Sequence, residues 1–386
     1  MARAFGSQSS LREGNRALIQ EAITRFGAMT QVELAETTGL STATVSTLVR
    51  QLVDERRLET QNTIRNGRRA TLVAPARKDG LLVGVHIGER ELLIDVIDYS
   101  KTILASHRLP LAFSHKADTT IERAIILINE TVHSIGASPN EIKGVGLTVA
   151  APVDSIRHVI AVPGILPGWD GIDLAGPFGT ALQVPVVVDN DANAGAICEF
   201  RMGATVGKGN FIYVDASSGV GAGIMVNGSL MRGVTGLAGE IGHIQVDPLG
   251  SICACGNRGC LNTVVGEERL ISLLSVTHGN MTLEDLVGSA LAGDPGCRRV
   301  ISDAAVRIGT VTADLCISVD PELVVVGGRL ATAGDMFLDP LAEALQRLLF
   351  PNALTPIQVV SSQYPLDAPA LGAALLVMDR EDRPPA

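Results

Sequence analysis

Three cysteines lie within eight residues, in the run Cys253-Ala-Cys-Gly-Asn-Arg-Gly-Cys260, shortly after a run that ends in histidine, Gly236-Leu-Ala-Gly-Glu-Ile-Gly-His243. The spacing Cys-x-Cys-x4-Cys with a nearby histidine offers three thiolates and an imidazole, a tetrahedral set suited to one Zn2+. Gly256 and Gly259 supply the turns that bring the sulfurs together. The remaining cysteines, Cys198, Cys297 and Cys316, sit in apolar helical patterns and read as buried bystanders. Six cysteines in 386 residues do not make a disulfide scaffold, and their clustering points to metal in a reducing compartment.

A second cluster is Val186-Val-Val-Asp-Asn-Asp-Ala-Asn193, an apolar strand that ends in Asp189, Asn190, Asp191 and Asn193. Polar groups at the carboxyl end of a strand stand where open α/β sheets bind ligands. A carboxylate there can hydrogen-bond a hydroxyl or remove its proton. The same residues are equally good turn and N-cap chemistry. Ser217-Ser-Gly-Val-Gly-Ala-Gly223 lies between two strand patterns, and its close glycines could let backbone amides hold an anion or could simply form a tight hairpin. A strand running into paired glycines, Leu323-Val-Val-Val-Gly-Gly-Arg329, says only α/β.

The elements that position these groups follow from hydrophobic period. Residues 81–87 and 91–97 read as strands, a third strand ends near Leu109, a helix covers 120–135, and a buried strand runs over 144–150. Strands followed by helices imply an α/β body. Before it, residues 75–80 form a short polar linker. Before that, residues 11–26 read as a helix with Leu18, Ile19 and Ile23 on its apolar stripe. Thr30 with Glu33 forms a capping box, Gly39 ends that second helix, and Ser41 caps a third that carries Val45, Leu48, Val49 and Leu52.

The outer face of this third helix is Ser41, Thr42, Thr44, Ser46, Thr47 and Arg50, with no acid before Asp54. Short hydroxyls let a helix approach base edges and phosphates closely. The next turn, Arg65-Asn-Gly-Arg-Arg69, is a hairpin signal that puts Arg65, Arg68 and Arg69 on the tip of a wing. The pattern is a winged helix-turn-helix, with a small helical dimerisation module as its alternative.

Charge divides the same way. Residues 1–78 carry a net +5 and the remainder a net −15, so a basic head suited to a polyanion precedes an acidic body. The length calls for more than one core. The start has no long apolar run of the kind a secretory signal needs, and no stretch approaches the roughly 20 apolar residues of a membrane span. A cytoplasmic location with no membrane partner is therefore expected.

Taken in order, the Gly-Glu-Ile-Gly-His run and the Cys-x-Cys-Gly-x-x-Gly-Cys run resemble the signature of the ROK family of repressors, open reading frames and kinases, and the added head is similar to the family's sugar-responsive repressors. The resemblance implies two actin-like, ribonuclease H-like lobes of a sugar-kinase type with a sugar in the cleft, assembled as homodimers or homotetramers. It implies residues 1–78 for the DNA-binding domain, 79–190 for a first lobe completed by 366–386, and 191–365 for a second lobe with the zinc motif and the oligomerisation surface. It assigns Asn190, Asp191, Glu240 and His243 to sugar hydroxyls, and His243 with Cys253, Cys255 and Cys260 to zinc.

Departures from the family set the functional expectation. Family kinases hold ATP phosphates at an Asp-x-Gly-Gly-Thr turn, and here that place reads His86-Ile-Gly-Glu-Arg90. A histidine replaces the magnesium carboxylate, and Glu89 would set negative charge against the phosphates at a cost of several kcal/mol in a low dielectric. Ile165 and Asn262 replace two family sugar contacts. The expectation is a repressor of carbohydrate genes that binds a palindromic operator and a sugar-type effector without phosphorylating it. An active sugar kinase with a DNA-binding appendage, and a regulator whose body binds no sugar, are the alternatives.

Overall fold

Apolar residues at helical spacing fold the N-terminal segment into the helices Gln8–Phe26, Gln31–Thr38 and Thr42–Asp54, followed by the strands Leu58–Arg65 and Arg68–Pro75. The computed structural model describes residues 8–26, 28–55, 57–65, 68–76, 80–350 and 356–381. Ile19, Ile23, Leu34, Val45, Leu48, Val49, Leu52 and Val73 close one small core. Leu18, expected on the buried stripe, instead faces solvent. The capping box is present: Glu33 N donates to Thr30 Oγ1 at 3.3 Å, and Thr30 N donates to Glu33 Oε2 at 2.8 Å. Gly39, at φ 71°, ends the helix in the left-handed conformation and donates its N–H to Ala35 O.

The two long strands pair antiparallel through Arg65 and Arg68, with the two-residue strand Met29–Thr30 on the other side of Arg68–Pro75. The Asn66-Gly67 turn lies outside the described residues, as do 77–79 of the expected linker. The small core rests on the body where helix Gln8–Phe26 meets strand Ile103–Pro110, and Ala28 N donates to Ser134 O at 2.7 Å.

The body holds two five-stranded sheets built to one plan. In the first, Leu81–Ile87, Glu91–Asp98 and Ile103–Pro110 form an antiparallel meander, then Ile142–Val149 and Val186–Asn190 add in parallel beside Leu81–Ile87. In the second, Phe211–Ala216, Val220–Val226 and Ser229–Leu230 form the meander, and Leu323–Gly327 and Gln358–Ser361 add in parallel. Numbered by appearance, both sheets read 3-2-1-4-5. The crossover in the first is helix Ala117–Ser134; in the second, the segment between meander and fourth strand includes the long helix Pro295–Val319.

Helices Asp191–Met202 and Ala368–Glu381 cross each other, and their apolar residues share a core with Leu82, Phe211 and Tyr213. Glycine decides how close the C-terminal helix comes. A Cβ on Gly84 or Gly146 would stand 1.8 Å from Ala370 O or Ala373 O, so the helix rests on bare backbone of the first sheet. Two expectations are adjusted. The helix expected over 120–135 begins at Ala117, and Val220 to Gly223, expected in a glycine loop, belong to strand Val220–Val226. Gly223 is needed for packing rather than for a loop, because its Cβ would meet Ala192 O at 2.3 Å.

Candidate functional site

A cavity of about 510 Å3 opens between the two sheets, within the size range of small-molecule sites. It gathers Asn190, Asp191, Glu240 and His243 from separate segments. The apolar strand Val186–Asn190 delivers the first two, and Asn190 then caps helix Asp191–Met202. Its Oδ1 accepts from Ala192 N at 2.9 Å and Asn193 N at 3.2 Å, while Nδ2 donates to Ala151 O at 3.1 Å and lies 3.5 Å from Glu240 Oε1. Asn190 therefore both caps the helix and lines the cavity. Asp189 is a brace: Oδ1 accepts from Asn193 Nδ2 at 2.8 Å, and Oδ2 pairs with Arg232 at 2.7 Å, tying the end of the first sheet to the loop after the second meander.

Asp215, at the carboxyl end of strand Phe211–Ala216, also lines the cavity. It escaped the sequence reading although the rule that singled out Asp189 to Asn193 applies equally to Phe211-Ile-Tyr-Val-Asp215. Burial, then the neighbouring Asp215, then Glu240 push the Asp191 carboxyl well above the usual range, and burial raises Asp215 to about 6 and Glu240 to about 7. A carboxyl that keeps its proton to higher pH can donate a hydrogen bond as well as accept one. His115 was missed too. Its Nε2 lies 3.0 Å from Gly88 O, its Nδ1 2.8 Å from Thr120 Oγ1, and its ring meets Trp169 edge-on at 5.5 Å. No motif marks it, because only the fold brings residue 115 to the cleft.

Ile165 and Asn262 both line the cavity. Asn262 Oδ1 accepts from Val220 N at 2.9 Å, so this side chain props the turn between the first two strands of the second sheet.

At the cavity wall, one donor atom each from His243, Cys253, Cys255 and Cys260 lies within 4.8 Å of every other. His243 Nδ1 stands 3.5 Å from Cys253 Sγ, and Cys255 Sγ stands 3.7 Å from Cys260 Sγ. A tetrahedral ion with metal–sulfur distances of about 2.3 Å and metal–nitrogen of about 2.0–2.1 Å separates sulfurs by roughly 3.8 Å and sulfur from nitrogen by roughly 3.6 Å. The donor set and its edges fit a metal ion. Cys198 and Cys316 are buried in helices as expected. Cys297 is buried as expected, and it stands beside His278 and Asp294.

A second cavity of about 370 Å3 adjoins the first and shares Glu89, Asp191, Asp215 and Ser217 with it. The segment expected as a turn over 86–90 is shorter than that. His86 belongs to strand Leu81–Ile87, buried with Nδ1 3.2 Å from Thr148 Oγ1, and burial lowers its pKa to about 4. Charged side chains fill the rim. Arg90 Nε lies 3.2 Å from Glu267 Oε1; Glu91 pairs with Arg108, and with Arg329 Nη2 at 3.0 Å; Arg108 Nη2 reaches Asp367 Oδ1 at 3.1 Å. Burial, then Glu267 and Glu268, raise the Glu89 pKa.

On helix Thr42–Asp54, Ser41, Thr42, Thr47 and Arg50 are exposed, and Thr44 and Ser46 are half-buried. Ser41 caps the helix through Thr44 N at 3.1 Å and shares a 2.8 Å hydrogen bond with Thr44 Oγ1, while Thr47 Oγ1 donates to Ala43 O at 3.0 Å. Arg65 and Arg68 flank the hairpin turn and Arg69 follows. The side chains of these three arginines lie outside the described residues.

A model of the ROK family matches residues 82–380. The xylose repressor of Bacillus subtilis is 27% identical over 377 residues, 97% of both chains, and the N-acetylglucosamine repressor of Escherichia coli O157:H7 is 28% identical over 97% of this chain and 94% of its own. The glucokinase of Halalkalibacterium halodurans is 31% identical over 64% of this chain and 79% of its own. Among solved structures, a ROK family glucokinase from Streptomyces griseus with glucose and AMPPNP superposes with TM-score 0.67 and 29% identity, over 77% of this chain and 99% of that one. A ROK family transcriptional regulator, homologous to the E. coli MLC protein, shares the fold over 95% of this chain at TM-score 0.64 and 22% identity.

Proposed function

The chain belongs to the ROK family, and from that premise we propose that it is a sugar-responsive transcriptional repressor that does not phosphorylate its effector. One observation carries this reading. The two kinases described above are matched by about two thirds to three quarters of this chain, whereas the two repressors are matched by nearly all of it, including the three-helix head and its hairpin.

In this reading the head, 1–78, is a winged helix-turn-helix. Ser41, Thr42, Thr44, Ser46, Thr47 and Arg50 face the major groove, and Arg65, Arg68 and Arg69 meet the backbone from the wing. A homo-oligomer presents two such heads to a palindromic operator in the cytoplasm. The body supplies a first lobe, 79–190 with 366–386, and a second, 191–365. Asn190, Asp191, Glu240 and His243 hold sugar hydroxyls. Zn2+ held by His243, Cys253, Cys255 and Cys260 would fix the loop that presents Glu240 and His243. Binding closes the cleft and lowers operator affinity through a coupling of roughly 1–3 kcal/mol.

The neighbouring cavity supports sensing over catalysis. Its arginines are already paired, His86 is neutral at pH 7, and Glu89 stands beside Glu267 and Glu268. A triphosphate entering it would have to break those pairs and meet the carboxylates. Asp191, Asp215 and the small turn 217–219 favour the kinase as the second reading. Selection of random duplexes on the purified protein, then release by a panel of pentoses, hexoses and amino sugars, tests the proposal. Enrichment of a palindrome released by one sugar class is expected. ATP-dependent sugar phosphorylation with no enriched duplex would overturn it.

A further inference from the structure

Away from the cleft, Cys297 sits in the first turn of helix Pro295–Val319, whose N-cap is Asp294. Asp294 Oδ1 accepts from Cys297 N at 2.8 Å, which leaves Oδ2 3.2 Å from His278 Nε2. Cys297 Sγ lies 3.8 Å from that same nitrogen. One donor atom from each of the three residues falls within 4.8 Å of the others.

On the other side of the ring, His278 Nδ1 is 2.7 Å from Thr277 Oγ1, a hydroxyl that also lies 3.1 Å from Leu274 O. That contact turns Nε2 toward Asp294 Oδ2 and Cys297 Sγ. A nucleophile–base–acid relay would divide its two partners between the two ring nitrogens, whereas here both address Nε2.

The spacings suit an ion. Tetrahedral zinc, with Zn–N of about 2.0–2.1 Å, Zn–O of about 2.0–2.2 Å and Zn–S of about 2.3 Å, gives a nitrogen–oxygen edge of roughly 3.4 Å and a nitrogen–sulfur edge of roughly 3.6 Å. The observed 3.2 and 3.8 Å each lie about 0.2 Å from those values. The Nδ1–Thr277 contact stands where the outer-shell hydrogen bond of a ligating histidine would.

We propose that His278 Nε2, Asp294 Oδ2 and Cys297 Sγ form a second site for a divalent transition ion of the zinc class, with solvent completing the coordination. His278 and Asp294 are partly exposed, so this ion exchanges more readily than one in a closed four-ligand site. It ties helix Ser275–His278 to the start of the long helix and brackets helix Leu283–Leu291. Thr282, Leu283 and Glu284 at the start of that bracketed helix line the second cavity, so occupancy bears on the cleft's far wall.

The test is zinc stoichiometry of the full chain equilibrated with buffered zinc, followed by displacement of the weaker equivalent with Co2+. Two equivalents are expected. The weaker should give a one-thiolate cobalt charge-transfer band that is lost in Cys297→Ser and His278→Gln and kept in Cys316→Ser. His278 is near the surface, so His278→Gln preserves the fold even where Cys297→Ser does not, and circular dichroism checks both. Wild-type protein that stops at one equivalent overturns the proposal, as does a second equivalent that survives in both variants. Cys255→Ser, which removes the other site, keeps the two assignments separate.

Discussion

At the same place in the topology, between first and second strands, the two sheets carry turns of opposite character. In the second sheet the turn is Ser217-Ser-Gly219, small and propped from beneath by Asn262. In the first it is Gly88-Glu-Arg90, crowded by the Arg90–Glu267 pair and, just beyond, by Glu91 held between Arg108 and Arg329. A repeated fold therefore does not impose repeated chemistry. Backbone pairing sets where a turn stands, and two or three side chains decide whether an anion could enter. The ion pair from Glu91 to Arg329 also joins the two halves of the body across the second cavity.

A helix presses on each sheet at particular glycines, at Gly84 in the first and Gly223 in the second, and one kind of substitution separates such a position from a looser one. Gly84→Ala drives a methyl group to 1.8 Å from Ala370 O and is expected to cost more than about 3 kcal/mol, whereas Gly221→Ala meets only Ala192 Cβ at 3.2 Å and should cost a third of that or less. Chemical denaturation of the two variants decides it, and similar losses would mean that the C-terminal helix does not seat on the first sheet as described.

Next in size is the cleft. Asp191→Ala removes a half-buried, cavity-lining carboxyl and should weaken the effector about ten- to a hundredfold, or roughly 1.5–3 kcal/mol, while operator binding without effector is unchanged. Glu89→Ala, on the first sheet's turn, should change effector affinity less than threefold. Calorimetry with the releasing sugar separates the two, and equal effects would erase the contrast between the turns.

A third difference is electrostatic. Asp95, in the second strand of the first sheet, is buried, and burial with the nearby Asp367 raises its pKa to about 8; the second strand of the other sheet, Val220–Val226, has no acid. The folded protein thus keeps a proton that the unfolded chain releases near pH 4. Stability must fall as pH rises between those values, by at most about 1.4 kcal/mol per unit. Asp95→Asn should flatten that slope, so its melting temperature gains on wild type from pH 5 to pH 8. A constant gap across that range would contradict the burial described.

The smallest effect is expected at the pair that bridges the sheets. Arg329→Ala removes partly exposed ion pairs worth about 0–1 kcal/mol. Melting should shift by a few degrees at most. Protection of amides in the turn 88–90 against hydrogen exchange should drop while that in 217–219 holds.

Local patterns were legible from the chain itself. The capping box at Thr30, the Gly39 turn, the cap at Ser41 and the Cys253 to Cys260 loop each close within a few residues, so spacing alone carries their geometry. The polar end of strand Val186–Asn190 was legible for the same reason. Leu18 was misplaced because a helical stripe gives the angle of a face, not the extent of what covers it. The tertiary structure alone brought His115 to the cleft, set Asp215 against Asp191, paired Glu91 with Arg329 and turned Cys297 toward His278. It also laid residues 368–381 on glycines more than two hundred positions earlier. Such contacts are fixed by the packing of whole sheets and helices, and local period and spacing carry no record of that packing.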